Sequence, residues 1–80
     1  MVLRFTPKRS SWIKHEIWHE GQTETLQDDG SLVRTIPVSH EGEIMMEILK
    51  HGSQVEVLEP EWLREKIITK INESVKIYRV

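Results

Sequence analysis

Residues 22–38, QTETLQDDGSLVRTIPV, contain two β-type segments separated by a turn signal. Asp29 and Gly30 form the Asp-Gly pair of the turn, which tolerates the positive φ angles of a tight hairpin. Residues 22–27 and 32–38 are therefore predicted to be adjacent antiparallel strands, and their threonines suit a half-exposed sheet. The positions predicted to face the core are Leu26, Leu32, Ile36 and Val38.

A strand and a helix are predicted before this hairpin. Leu3 and Phe5 share one face of a strand over residues 2–6, and Pro7 ends it because proline cannot donate to a strand ladder. Apolar residues then recur at helical spacing over residues 8–18. The apolar positions of this helix are Trp12, Ile13 and Ile17, its candidate caps are Ser10 and Ser11, and Gly21 ends it.

A helix, a strand and a last helix are predicted after the hairpin. Ser39 is a good N-cap for the second helix, and Gly52 suits a left-handed C-cap. Residues 54–58 alternate like a strand, and Pro60 suits the first position of a helix that runs to about residue 74. The apolar stripes are Ile44, Met45, Ile48 and Leu49 in the second helix, and Leu63, Ile67 and Ile71, widened by Trp62, Ile68 and Val75, in the last.

This order of elements predicts an α+β fold in a single domain over residues 1–80. It corresponds to a ferredoxin-like βαββαβ split sandwich: a four-stranded antiparallel sheet with two helices on one face, plus an additional C-terminal helix. A chain this short buries only about 60–65% of its unfolded surface, which disfavours a deep cleft. The last helix has more apolar surface than the sandwich can bury, so part of it is expected to cover a neighbour.

Composition narrows the classes of function. The 80 residues have a net charge of -2, and Lys and Arg are scattered, so the chain lacks the basic patch expected of a nucleic-acid-binding domain. No apolar run approaches the roughly 18 residues of a membrane span, and no signal peptide or cysteine is present. We therefore expect a cytoplasmic protein that contacts no membrane.

Residues 15–19, HEIWH, fit the H-E-x-x-H pattern that binds zinc when it lies on a helix. No third ligand follows at a recognised spacing, and His40 and His51 lie at opposite ends of the predicted second helix, about 16 Å apart at 1.5 Å per residue. The sequence therefore predicts two partly exposed histidines, no metal site, no cofactor and no enzymatic activity. Adventitious zinc or nickel binding by His15 and His19 is the alternative.

Four stretches carry a resemblance to a known family. They are VLRFTP, WHEGQTETLQDDGS, EIMMEILKHGSQVEVLEPEWLREKI and the tyrosine of KIYRV. In order and spacing the chain resembles the C-terminal extension domain, WCX, of bacterial WYL-domain transcriptional regulators. The matching positions include a Trp-His-x-x-Gln stretch and a helix ending in Gly followed by a strand and Pro-x-x-Leu-Arg: Trp18, His19, Gln22, Ile48, Leu49, Gly52, residues 55–58, Pro60, Leu63 and Arg64.

The resemblance implies a non-enzymatic regulatory and dimerisation domain that contributes to effector response. Relatives carry an N-terminal winged helix-turn-helix that binds DNA, then a WYL domain that senses a nucleotide or nucleic acid. The Trp-Tyr-Leu signature and a recognition helix are missing here, so the chain is expected to be a fragment that reaches DNA only through another domain. Its expected partners are the other domains of the same regulator and a second subunit in a homodimer.

Five side chains are candidates for ligand or partner contact. Arg64 suits bidentate binding of a phosphate or carboxylate, or else pairs with a glutamate of its own helix. Trp12 and Trp62 suit a contact surface, or else the core. His19 and Gln22 could bind a ligand or the WYL domain, or else cap the first helix locally. An alternative function is a stand-alone ferredoxin-like sensor of small molecules.

Overall fold

A computed structural model of the chain describes residues 1–37 and 41–79. The strands and helices follow one another in the predicted order, and a short 3₁₀ turn, Gly52–Gln54, precedes the last strand. The elements are β1 (Val2–Phe5), α1 (Pro7–Ile13), β2 (Thr23–Leu26), β3 (Leu32–Thr35), α2 (Glu41–Lys50), β4 (Val55–Glu59) and α3 (Glu61–Tyr78).

The four strands form one sheet in the order β2-β3-β1-β4. β1 lies in the centre and pairs antiparallel with both β3 and β4, while β2 pairs antiparallel with β3. This order places the two crossover units around a central hairpin, as the ferredoxin-like fold requires. The predicted four-stranded sheet with helices and an additional C-terminal helix is confirmed.

One face of the sheet carries the core. Leu3 and Phe5 of β1 point to this face and are fully buried, as their alternation predicts. Leu63 and Ile67 bring α3 into the same apolar cluster, so the C-terminal helix is part of the folded unit. The buried apolar side chains of this cluster are Leu3, Phe5, Ile13, Leu32, Ile36, Ile48, Val57, Leu63 and Ile67.

The Asp-Gly turn has the predicted positive φ at Gly30 but not at Asp29. Gly30 has a φ of 91°, in the region that favours glycine, and its N–H donates to the carbonyl of Gln27 at 3.0 Å. The Asp29 carboxylate accepts from the backbone N–H of Ser31 at 2.9 Å and from its hydroxyl at 2.6 Å. These two hydrogen bonds hold the pKa of Asp29 below its ordinary value. The turn thereby fixes the register of β2 on β3.

The predicted first helix is wrong at both ends. It begins at Pro7, because the Thr6 hydroxyl accepts from the N–H of Arg9 and caps it, and it ends at Ile13. Residues 14–22 form a loop, which we call the cover loop. Of the three apolar residues assigned to this helix, only Ile13 is buried, while Trp12 and Ile17 are exposed.

Two further expectations concern the hairpin and the second helix. Leu26 is 67% exposed instead of buried, because β2 is an edge strand that the helices do not cover. Three predictions lie outside the described residues: Val38 as a core residue, Ser39 as a helix cap and His40 at the start of the second helix. Gly52 has the predicted left-handed backbone, with a φ of 56°.

The C-terminal helix α3 is longer than predicted, and Pro60 caps it instead of occupying its first turn. Its first half is anchored by Leu63 and Ile67, but Ile71 and Val75 are partly exposed further along the helix. Across residues 1–37 and 41–79, no helix is both long and apolar enough to cross a membrane.

Candidate functional site

An arginine lies inside the core. Arg34 is the middle residue of the inward row Leu32, Arg34, Ile36, which starts on β3 and ends at the residue after it, and its side chain is 0% exposed. Leu3 of β1 and Glu24 of β2 are its cross-strand neighbours. The sheet therefore places a permanent positive charge among apolar side chains, where a charge is costly unless it is paired.

Two acceptors pair with this guanidinium through one nitrogen. The Nη2 of Arg34 donates to Oε2 of Glu24 at 2.9 Å and to the carbonyl of Ile13 at 2.8 Å. Ile13 is the last residue of α1, so its carbonyl belongs to the partly negative end of that helix. Among the described residues, the Nε and Nη1 atoms of Arg34 have no hydrogen-bond partner.

The rings of Phe5 and Trp18 lie against the arginine, and the ring of His51 packs on both of them. We call these three rings, with Arg34 and Glu24, the arginine cluster. The guanidinium carbon lies 5.7 Å from the ring centroid of Phe5 and 5.5 Å from that of Trp18. Trp18 stacks on His51 with centroids 5.6 Å apart and planes at 22°, and Phe5 meets both rings edge-on. The negative ring faces offset part of the cost of burying the charge.

His51 is the second unusual polar residue of the cluster. It follows α2, is 6% exposed, and has no hydrogen-bond partner for either ring nitrogen within the described part of the chain. Burial disfavours the imidazolium and lowers the pKa of His51 below its ordinary value, and the positive charges of Arg9 and Lys50 lower it further. The ring is therefore neutral at pH 7.

The cover loop presents Trp18 to the cluster. The Gln22 side chain accepts from the N–H of Trp18 at 2.8 Å and from the N–H of His19 at 3.3 Å, and it donates to the carbonyl of Glu16 at 3.2 Å. It also donates to Oε1 of Glu24 at 3.2 Å, so the glutamate links the loop to Arg34. Gln22 thus organises the loop.

His19 plays a local part in the same loop. Its Nδ1 accepts from the N–H of Gly21 at 2.8 Å. These contacts agree with the alternative in which His19 and Gln22 make local hydrogen bonds. The contacts stabilise the cover loop, however, and not the end of a helix. Their contact with a ligand or another domain stays a prediction.

The H-E-x-x-H stretch does not have the geometry of a zinc site. His15 and His19 lie in the cover loop, beyond the end of α1 at Ile13, so they are not on one helix face. Within residues 1–37 and 41–79, no three His, Cys, Asp or Glu side chains are grouped closely enough to hold a metal ion.

Arg64 lies in a second arginine-glutamate arrangement, at the surface between β4 and α3. Its Nη1 donates to Oε2 of Glu56 at 3.0 Å and to the carbonyl of Val57 at 2.9 Å. Arg4 donates to the other oxygen of Glu56. Hydrogen bonds from Arg64 and then Arg4 lower the pKa of Glu56, and the bond to Glu56 raises the pKa of Arg64. Phosphate or partner binding by Arg64 stays a prediction.

The other two candidate side chains are tryptophans at the surface. Trp12 is largely exposed and has the guanidinium carbon of Arg9 at 4.5 Å from its ring centroid. Trp62 is 44% exposed, with the Lys66 ammonium at 5.5 Å from its ring. Of the five candidates, His19 and Gln22 lie in the cover loop, Trp12 lies on α1, and Arg64 and Trp62 lie on α3.

A groove of about 570 Å³ runs between the end of α2 and the second half of α3. Ile71, Val75 and Tyr78 of α3 contribute partly or largely exposed apolar surface along it. The other lining residues are Ile48, Leu49, Gly52, Ser53, Val55, Ile67, Ser74 and Arg79. We call this surface the α2–α3 groove.

The sequence contains signals for the arginine cluster that the apolar pattern alone does not reveal. The hairpin register pairs residue 24 with residue 34, and alternation from Leu32 to Ile36 places Arg34 inward. His51 follows Ile44 and Ile48 at helical spacing and so continues the apolar stripe of α2. The conformation of the cover loop has no comparable signal, because no periodic pattern sets it.

One of the comparisons with known proteins identifies a family. The family model described as WCX domain matches residues 1–75. The search of curated proteins found no match.

Proposed function

Because the chain belongs to the WCX domain family, a family of regulator-associated domains, we propose that it is a non-enzymatic regulatory and dimerisation domain of a WYL-type DNA-binding transcriptional regulator. In this proposal the domain contributes to the response to a nucleotide or nucleic-acid effector. DNA is contacted by a separate N-terminal domain of the regulator, because this chain has a net charge of -2.

The observation that carries the dimerisation proposal is the α2–α3 groove. Ile71, Val75 and Tyr78 expose apolar surface in one stretch of α3, and such patches mark interaction sites when they are contiguous. A two-fold dimer uses the same patch on both subunits, so α3 of one copy can cover the groove of the other. We therefore assign the groove to a second copy of this chain.

The arrangement also suggests how an effector would act. Leu63 and Ile67 fix α3 to the core, so a shift of α3 against its symmetry mate moves the whole domain. An effector that binds one subunit arrangement better than another shifts the population toward that arrangement. The DNA-reading domains attached to the two subunits change their spacing with it.

The oligomeric state tests the dimer. Ile71→Glu and Val75→Glu together place two charges in the α2–α3 groove, and we expect the variant to be a monomer in sedimentation equilibrium where the unmodified chain is a dimer. Asn72→Glu is the matched control, because Asn72 lies on α3 outside the groove lining. A monomeric unmodified chain, or a dimer that survives the double substitution, contradicts the proposal.

Binding to DNA tests the assignment of DNA contact to another domain. We expect the isolated chain to bind operator-like duplexes no better than an acidic protein of similar size, measured by fluorescence anisotropy from about 50 to 200 mM salt. Sequence-specific binding that weakens steeply with salt would contradict this expectation.

The volume of the groove also supports a second candidate function, a stand-alone ferredoxin-like sensor of small molecules. Its volume of about 570 Å³ lies within the roughly 300–1,000 Å³ typical of ligand pockets. Thermal-shift screening with amino acids and nucleotides separates the two functions, since a ligand raises Tm by mass action. A rise that Ile71→Glu abolishes in a monomeric chain favours the sensor.

A further inference from the structure

His51 is a buried titratable side chain to which the proposed function gives no role. Its ring lies between Trp18, on which it stacks, and Phe5, which it meets edge-on. Neither ring nitrogen has a hydrogen-bond partner among the described residues. A proton added to this ring would therefore create a buried charge with no acceptor supplied by the surrounding side chains.

Charges on the neighbouring elements also bear on His51. The guanidinium of Arg34 contacts the faces of Phe5 and Trp18, so an imidazolium would become the second cation in one cluster of rings. The positive groups nearby outweigh the negative ones in their effect on the ring. The positive groups that lower the pKa of His51 are Arg9 of α1 and Lys50 of α2. The negative groups that raise it are Glu16 of the cover loop and Glu47 of α2.

Trp18, which the cover loop carries, is the ring of the cluster that can move. Trp18 is only partly buried, and the Gln22 side chain holds its backbone through one hydrogen bond at 2.8 Å. Phe5 is fixed in the central strand, so it cannot move without breaking the sheet. We propose that protonation of His51 displaces Trp18 and opens the cover loop, which makes the domain acid-sensitive and uncovers Arg34.

The direction of the pH dependence follows from linkage. Burial lowers the pKa of His51 in the closed form below 6.5, and opening restores it toward that value. The closed form is therefore fully favoured above pH 6.5, and the ratio of open to closed rises by up to about tenfold per pH unit below it. Asp29 and Glu56 stay ionised between about pH 8 and about pH 5, because hydrogen bonds lower the pKa of each.

Fluorescence of Trp18 tests the proposal. Trp12→Phe and Trp62→Phe leave Trp18 as the single tryptophan, since the chain has three. Between about pH 8 and about pH 5 we expect its emission to shift to longer wavelength, with a midpoint below 6.5 that coincides with the NMR titration of the His51 imidazole. Emission that does not change over this range would overturn the proposal.

Two substitutions assign the transition to one histidine. His51→Phe keeps a ring in the stack but removes the proton site, and we expect it to abolish the shift. His19→Gln is the matched control, because it removes a cover-loop imidazole that bonds to Gly21 and is not part of the ring stack, and we expect the shift to persist. The opposite pattern overturns the proposal. If His51→Phe does not fold, the parent chain still tests the proposal: titration of His51 without a change in Trp18 emission would overturn it.

Discussion

Two of the arginine-glutamate pairs among the described residues, Arg34–Glu24 and Arg64–Glu56, have similar geometry and different surroundings. The distance from Nη2 of Arg34 to Oε2 of Glu24 is 2.9 Å, and that from Nη1 of Arg64 to Oε2 of Glu56 is 3.0 Å. The side chain of Arg34 is 0% exposed, whereas that of Arg64 is 39% exposed. Water can replace the partner of Arg64, whereas Glu24 is the one carboxylate that the described residues pair with Arg34. Distance alone is therefore a poor guide to what an ion pair contributes.

The pairs also differ in what depends on them. Glu24 accepts from both Arg34 and Gln22, so it connects the buried cation to the cover loop. Glu56 accepts from Arg64 and Arg4, both of which reach solvent. We infer that the first pair fixes how the cover loop lies on the sheet, while the second adds a local contact between strands and helix.

The largest expected effect is that of Glu24→Gln. Removing this charge leaves Arg34 buried without a counter-ion, and breaking a buried pair in this way costs about 3–5 kcal/mol. Since Glu24 keeps 27% exposure, we expect a loss near the lower end, about 3 kcal/mol, in the free energy of unfolding by urea. Glu56→Gln is the matched control and should cost less than about 1 kcal/mol.

A double substitution sharpens this comparison. Arg34→Met together with Glu24→Gln removes both charges and keeps most of the volume, and we expect it to recover most of the stability that Glu24→Gln loses. A double variant as unstable as the single one would mean that packing, and not the unpaired charge, sets the cost.

The next effect concerns the aromatic cover of the buried pair. Trp18→Ala removes the ring that contacts Arg34 and stacks on His51, and we expect a loss of about 2 kcal/mol because this tryptophan is only partly buried. Trp62→Ala, which removes an exposed ring beside Lys66, should cost less than about 1 kcal/mol. Urea denaturation of both variants measures the difference, and equal losses would contradict the stabilising role of the Trp18 ring over the buried pair.

Much of this architecture can be predicted from the sequence, because periodic patterns report which face of each element is buried. Alternation identifies Leu3 and Phe5, and the Asp-Gly turn sets the register of the hairpin. The conformation of the cover loop cannot be predicted in this way. Residues 14–18 continue a helical apolar pattern, yet Thr6 and Pro7 start the helix early. The Gln22 side chain, which accepts from the Trp18 N–H and donates to the Glu16 carbonyl, shapes the loop after Ile13. The buried arginine is missed when inward positions are sought among apolar residues alone.

The smallest expected effect is the pH dependence of the surface pair. Hydrogen bonds from Arg64 and Arg4 lower the pKa of Glu56 from 4.5, so its contribution to stability is present above pH 4.5 and is lost as the pH falls through the lower folded-state value. We expect the unfolding free energies of the unmodified chain and Glu56→Gln to differ by less than about 1 kcal/mol at about pH 6, because both partners are partly exposed, and to converge toward about pH 3. A difference that instead stays constant over this range would mean that the side-chain amide, and not the loss of charge, changes the stability.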